Sequence, residues 1–403
     1  MAETNPSQAE PVEVWITGIG LATSLGEGLD AHWDALNQRR INVDEKTFAP
    51  FIVHPWTQVN LDTQIPKKGD QRQMEAWQRI GTYAAGLALD SAGVKGNKEI
   101  LGRMDMIIAA GGGERDLAVD SAILSAQAKG NSAPGFLNER LMNDLRPTLF
   151  LAQLSNLLAG NIAIVHGVCG TSRTFMGEEA ASIDAARIAL ARIAAGQSDI
   201  VLIGGSQNGE RKDLLVLYEF GDFNLKDKFA PVWARQQNAG FALGSAGAFV
   251  VIESKAHAIA RGAKPFARLT SIESEHSQRT PGAVDATLER MWSGVAARVK
   301  PENAAVISGA TGLEPATAEE RAFLSRHSGL AVRATGTHLG HALEPQFPAN
   351  VALAAMALQR GQLFPPGDAS GVERPMVAPL RQIVVTSVGH WRGECLALAE
   401  AVE

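Results

Sequence analysis

Only two cysteines, Cys169 and Cys395, occur among 403 residues. That is too few for a disulfide framework or a cysteine-rich metal site, and it fits a reducing, cytoplasmic setting. An excess of basic charge is also missing: 37 Lys and Arg stand against 43 Asp and Glu, a net charge of −6. No global field then draws the chain to nucleic acid or anionic lipid, and neither a nucleic-acid role nor a membrane partner is expected. Long apolar runs are absent as well. The most apolar long window, from Leu149 to Gly170, is broken by Gln153, Asn156, Asn161 and His166, whereas a membrane span needs about 20 apolar residues in succession. The opening MAETNPSQAEPVE is polar and acidic, without a charged segment leading into an apolar one. It reads as a disordered tail over residues 1–12 and not as a signal peptide.

What is present is a globular composition, 45% apolar and 20% charged, in a chain long enough for two to four domains or one two-lobed unit. Short β-rich runs ending in glycine or a small residue alternate with longer helical patterns, which predicts a layered α/β fold with buried, mostly parallel strands. Strands are expected at Val14–Thr17 leading into Gly18-Ile19-Gly20, and at Asp105–Ala109 before Gly111-Gly112-Gly113. Others are expected at Asp199–Ile203 before Gly204-Gly205, and at Ala246–Glu253, Phe266–Ile272, Ala304–Ile307 and Gln382–Val388. Helices are expected at Leu29–Asn37, Arg72–Ala92, Leu137–Leu158, Glu179–Ala195, Asp285–Arg298 and Ala349–Leu358, most of them Ala- and Leu-rich with three- and four-residue apolar spacing. The charged stretch Glu253–Arg261 is the candidate seam between an N-terminal half (13–253) and a C-terminal half (254–403).

Four landmarks then fall in one order. Val14 to Gly26 resembles the first strand and glycine turn of the β-ketoacyl-acyl-carrier-protein synthases, members of the thiolase fold family. Gly204-Gly205-Ser206-Gln207 resembles their GGAE turn, Gly240-Phe241-Ala242-Leu243-Gly244 their GFxxG hairpin, and Gly340-His341 their GHxxG motif. The resemblance spans almost the whole chain. It implies a thiolase-like αβαβα fold built from two similar halves. It also implies the chemistry of enzymes that join an acyl chain, held on a cysteine, to malonyl carried on an acyl carrier protein, with two histidines assisting.

The resemblance also shows what has been lost. The family's nucleophile begins a buried helix, where the macrodipole and free N–H groups favour a thiolate. Ile164 to Thr174 resembles the segment upstream of that nucleophile, and continuing the register without a gap puts Glu179 there. Glu179 lies 17 residues before Gly196, which fits one helix closing before the Gly-x-x-Asp turn, whereas Cys169 would need about ten inserted residues. A carboxylate is a far weaker nucleophile toward a thioester, so acyl loading should fail. From local sequence alone Glu179 also reads as a helix-start acid, and Cys169 as a small buried hydrophobe. Ser308 stands at the first histidine position and His341 at the second, where His341 reads either as an active-site remnant or as a structural histidine. His338 reads as structural, and Gly336 replaces the usual lysine. Glu344 and Asn350 stand where a glycine and a glutamate are usual. In the gate loop His390 replaces phenylalanine and Trp391-Arg392 replace small residues, so the large side chains should fill or reshape the substrate pocket.

This pattern resembles the family's non-condensing partners, the chain-length factors. The first expectation is a catalytically degenerate subunit of fatty-acid or polyketide assembly, paired with itself or with an intact ketosynthase paralogue and serving an acyl carrier protein. Arg39-Arg40, Lys67-Lys68 and Arg72 are candidate docking residues, each also readable as an ordinary solvated face. The alternative is an active 3-oxoacyl synthase with Cys169 as nucleophile and His166, His338, His341 or His390 as base. A decarboxylase using His341 alone is disfavoured because Glu179 would repel a malonyl carboxylate. No cofactor is implied. The nine histidines have no HxxxH or HExxH spacing, which gives no support for a metal site.

Overall fold

The computed structural model describes residues 12–130 and 133–402. Apart from Val12, the expected tail lies outside the described residues. Ten strands carry the fold: β1 (Val14–Thr23), β2 (Asp105–Ala109), β3 (Ser172–Phe175), β4 (Ile200–Gln207), β5 (Ala246–Ser254), β6 (Ala267–Glu275), β7 (Ala304–Ser308), β8 (Ala331–Ala334), β9 (Gln382–Val388) and β10 (Glu394–Glu400). They hydrogen-bond in the order β8-β7-β9-β10-β6-β1-β5-β4-β2-β3, with a short strand, Gly26–Glu27, added beside β1. The first five strands in the chain and the last five follow the same spatial order. The two halves meet where β1 pairs with β6, through Trp15↔Arg268 and Ile16↔Ala267.

Strand direction departs from the expectation. At each end of the order three strands run parallel, but the pairings between them, including β1·β5, β10·β6 and β9·β10, are antiparallel. The link between β9 and β10 covers only residues 389–393, too short for a crossover, so a hairpin results.

Two helices fill the space between the halves. The first, α2 (Glu179–Ala194), packs on β2, β3, β4 and β5 and also on β6; the second, α3 (Gln346–Arg360), packs on β1 and β5 and also on β6, β9 and β10. Every residue of α3 from Gln346 to Leu358 is buried. Its run of alanines lets it sit between the two halves of the strand order without overfilling the core. Outside, α1 (Ala76–Ser91) covers β1, β4 and β5, while Ala283–Val295 and Ala316–Arg326 cover the other half. The five layers are those of the αβαβα fold.

Glycines expected in turns prove to be strand residues. β1 runs through Gly18-Ile19-Gly20 to Thr23, because Cβ atoms on Gly18 and Gly20 would lie 2.5 and 2.0 Å from the carbonyl oxygens of Ala88 and Ala84 in α1. Gly204 and Gly205 likewise lie inside β4, where Cβ atoms would meet Ala248 O at 2.3 Å and Ala109 O at 2.5 Å. The expected helix over Leu137–Leu158 is three pieces, Phe136–Asn143, Leu149–Gln153 and Leu157–His166, with Pro147 in the first break. The start of the expected helix at Arg72 belongs to a separate short helix, and Glu75 begins α1 with a capping box to Gln78.

Candidate functional site

The site is assembled from three backbone turns. After β3 the chain passes through Gly177 at φ +139° and Glu178 at φ 57°, ψ −132°, before α2 begins at Glu179. A non-glycine residue in that region is strained and persists only where its surroundings hold it. It sets Glu179 on the first turn of α2, where the helix dipole favours an anion. The second turn carries His341. Gly340, at φ +71°, has no room for a Cβ, which would sit 2.8 Å from Ala242 O, and a Cβ on Gly244 would sit 2.1 Å from Leu339 O. His341 N donates to Ala242 O at 2.7 Å and Gly244 N to His341 O at 2.9 Å. The GFxxG segment therefore acts as a backbone splint for the GH segment. The third turn, β9 to β10, carries His390.

The three side chains meet on one atom. Glu179 Oε1 accepts from His341 Nε2 at 2.6 Å, from His390 Nδ1 at 2.9 Å and from the His390 backbone N–H at 3.1 Å. All three residues are buried. Burial alone would raise the Glu179 pKa, but the two imidazoles outweigh it and hold the carboxyl well below its ordinary range. Burial opposes charge on His390, yet the Glu179 carboxylate, with Glu178 adding, raises its pKa above the usual value. His390 is boxed edge-on by Tyr218, Phe223 and Phe241, with ring centroids 5.3, 5.3 and 5.6 Å away. His390 is thus packed between these aromatic rings and the Glu179 carboxylate.

Other sequence-derived positions fare differently. Ser308 is buried at the end of β7 with its hydroxyl donating to Glu320 Oε1 at 2.8 Å; Thr386 donates to the same oxygen. Its recorded partners do not include Glu179 or His341, so it joins a separate buried carboxyl cluster. Gly336 opens a short helix, Gly336–Leu339, where a Cβ would lie 2.8 Å from Ala310 O, leaving no place for a lysine side chain without movement. His338 is buried with Nδ1 on Arg40 O at 2.9 Å, a structural role. Trp391 corrects an expectation: it is 61% exposed, so the indole does not fill a buried pocket. Cys169 corrects another. It is exposed, so it is no buried hydrophobe, and its backbone N–H is tied to Leu101 O at 2.9 Å. It is not among the groups gathered at Glu179, and His166 nearby is occupied by Thr82 O at 2.8 Å.

Beside the cluster lies a cavity of about 480 Å³ lined by Gly111–Gly113, Glu178, Arg211, Tyr218 and Glu344. Arg211 donates to the carbonyls of Gly112 and Gly113, so this glycine loop is shaped for the protein's own guanidinium. Burial pushes the Glu344 carboxyl up to about 7, with Glu178 and Glu179 adding to the effect, and its Oε2 is buried without a partner. The departure from glycine at 344 was the signal for this residue. Nothing in the sequence distinguished Glu178, Tyr218 or Arg211. Nor did local histidine spacing reveal that Glu179, His341 and His390 offer ligand atoms within 4.8 Å of one another.

Comparison with known proteins places the chain in a family. The sequence profile described as "Beta-ketoacyl synthase, N-terminal domain" matches residues 12–258. The 3-oxoacyl-[acyl-carrier-protein] synthase 2 of Vibrio harveyi is 26% identical over 271 residues, 64% of this chain and 62% of that protein, so the match spans about three-fifths of the relative. The ishigamide ketosynthase/chain length factor superposes with a TM-score of 0.79 at 18% identity, covering 98% of this chain and 100% of that one. A type II polyketide ketosynthase, solved with its acyl-carrier protein and bound to the hexaketide, gives 0.73 at 16% identity, covering 98% and 100%. With the profile matching more than half its length, the chain belongs to the β-ketoacyl synthase family.

Proposed function

We propose that this protein is a non-condensing, chain-length-factor-like subunit of fatty-acid or polyketide assembly, cytoplasmic, and working with an acyl carrier protein and an intact ketosynthase paralogue. The observation that carries the reading is the state of Glu179. Its carboxylate stands in the nucleophile's register and is engaged by both histidines and by the gate-loop N–H. A buried carboxylate whose Oε1 is already held by three N–H donors is a far weaker nucleophile toward a thioester than a thiolate. The absence of an imidazole at Ser308 removes a further element of condensation chemistry.

Pairing is favoured by the edge of the sheet. β3 ends the strand order, its Ser172 and Arg173 are exposed, and the helices that precede it present Leu124, Leu141, Met142, Phe150 and Ile164 to solvent. An unpaired edge flanked by apolar side chains suits a subunit interface. Arg39, Arg40, Lys67, Lys68 and Arg72 are all exposed and would supply local positive charge to an acidic carrier protein. The test is to express the chain alone and together with an intact ketosynthase paralogue, then measure native mass and acyl occupancy. A one-to-one complex acylated only on the paralogue supports the proposal; a self-sufficient homodimer that loads and condenses acyl groups overturns it.

A further inference from the structure

We infer that Glu179, His341 and His390 form a binding site for a divalent transition-metal ion of the zinc type, ligated by Glu179 Oε1, His341 Nε2 and His390 Nδ1. Two imidazoles and one carboxylate are a donor set that suits zinc and its neighbours and leaves a further coordination position open. The ligand atoms all lie within 4.8 Å of one another, and the two recorded N···O separations are 2.6 and 2.9 Å. With metal–ligand bonds of about 2.0–2.1 Å, tetrahedral ligand atoms sit about 3.3 Å apart, so these two separations need open by only about 0.4 to 0.7 Å.

The supporting structure has the features that a metal site requires. Each ligand comes from a different turn, and each turn is pinned: Glu179 by the helix start, His341 by backbone bonds to the 242–244 segment, His390 by its ring contacts. Its second ring nitrogen, Nε2, faces Glu178 Oε2 at 3.5 Å, and Glu178 Oε1 in turn accepts from Tyr218 Oη at 3.1 Å. A carboxylate behind a ligating histidine orients the ring and strengthens its donor nitrogen. The charges of Glu178 and Glu179 would balance a dipositive ion. The carboxylate and phenol behind His390, Glu178 and Tyr218, also line the neighbouring cavity of about 480 Å³. The inference rests on this cluster and does not depend on whether the chain condenses acyl groups.

The experiment uses the full chain without a histidine tag, stripped with a chelator and titrated with Co2+ and then Zn2+. The expected result is one Co2+ per chain with visible ligand-field absorption, displaced by Zn2+, and a Zn2+ Kd below about 1 μM. Glu179→Gln and His341→Asn should each weaken binding by about 100-fold or more, and Glu178→Gln by about 10-fold, while Cys169→Ser leaves it unchanged. If a ligand variant does not fold, the wild-type Co2+ spectrum and its retention in Cys169→Ser still decide. No stoichiometric uptake by the wild type, uptake undiminished in folded Glu179→Gln and His341→Asn, or uptake lost in Cys169→Ser would overturn the inference.

Discussion

Glu344 offers a sharp test of how the pocket was reshaped. The carboxyl is fully buried, one of its oxygens has no partner, and its folded pKa is pushed up to about 7 from an ordinary 4.5, first by burial and then by Glu178 and Glu179 against the opposing Arg211. Because the folded value lies above the unfolded one, the contribution to stability is fully present below pH 4.5 and is lost as pH rises to about 7. At about 1.4 kcal/mol for each tenfold change in proton affinity, the loss amounts to about 3 kcal/mol. Glu344→Gln keeps the shape and removes the charge. The variant should match the wild type near the unfolded pKa and exceed it by up to about 3 kcal/mol at alkaline pH. Urea unfolding, followed by tryptophan fluorescence across that range, reads the difference directly. A variant-to-wild-type difference that does not change with pH, or a variant less stable at alkaline pH, would refute the reasoning.

Other expectations follow from the same structure. Ser308→Ala removes one of two hydroxyls donating to buried Glu320, whose pKa is raised because burial outweighs them. It should cost about 1–3 kcal/mol in denaturant titration, with the deficit growing as pH rises. Gly20→Ala would drive a Cβ to 2.0 Å from Ala84 O and should destabilise the chain by about 3 kcal/mol or more, seen as a lowered thermal midpoint. Trp391→Ala should change stability by less than about 0.5 kcal/mol and remove a red-shifted component of the native emission, because the indole is exposed.

The fold was legible in the sequence because its core elements carry strong periodic patterns. Gln382–Val388 is a strand to the residue, and α2 falls within one residue of its expected span at the C-terminal end. β3, β8 and β10 escaped notice, the first two because four-residue strands carry too little pattern to separate from loops. The glycines of β1 and β4 were misplaced into turns because glycine marks both sharp turns and close backbone approach, and only the packing of α1 against β1 separates the two. In the site, counting residues singled out Glu179 and His341, whose side chains meet at 2.6 Å. It could not show that His390 reaches the same carboxylate oxygen, since that contact joins residues 211 positions apart. Trp391 and Cys169 failed for a common reason: a residue's number says nothing about which way a loop turns its side chain.

The central claim, that this site does not accept an acyl group, is tested most directly by intact mass. The purified chain would be incubated with an acyl-carrier-protein thioester beside an intact ketosynthase, and any adduct mapped by peptide. The account predicts an unmodified chain while the intact enzyme gains one acyl group at its cysteine. A stable acyl adduct on Glu179 or on Cys169 of the folded protein would contradict it.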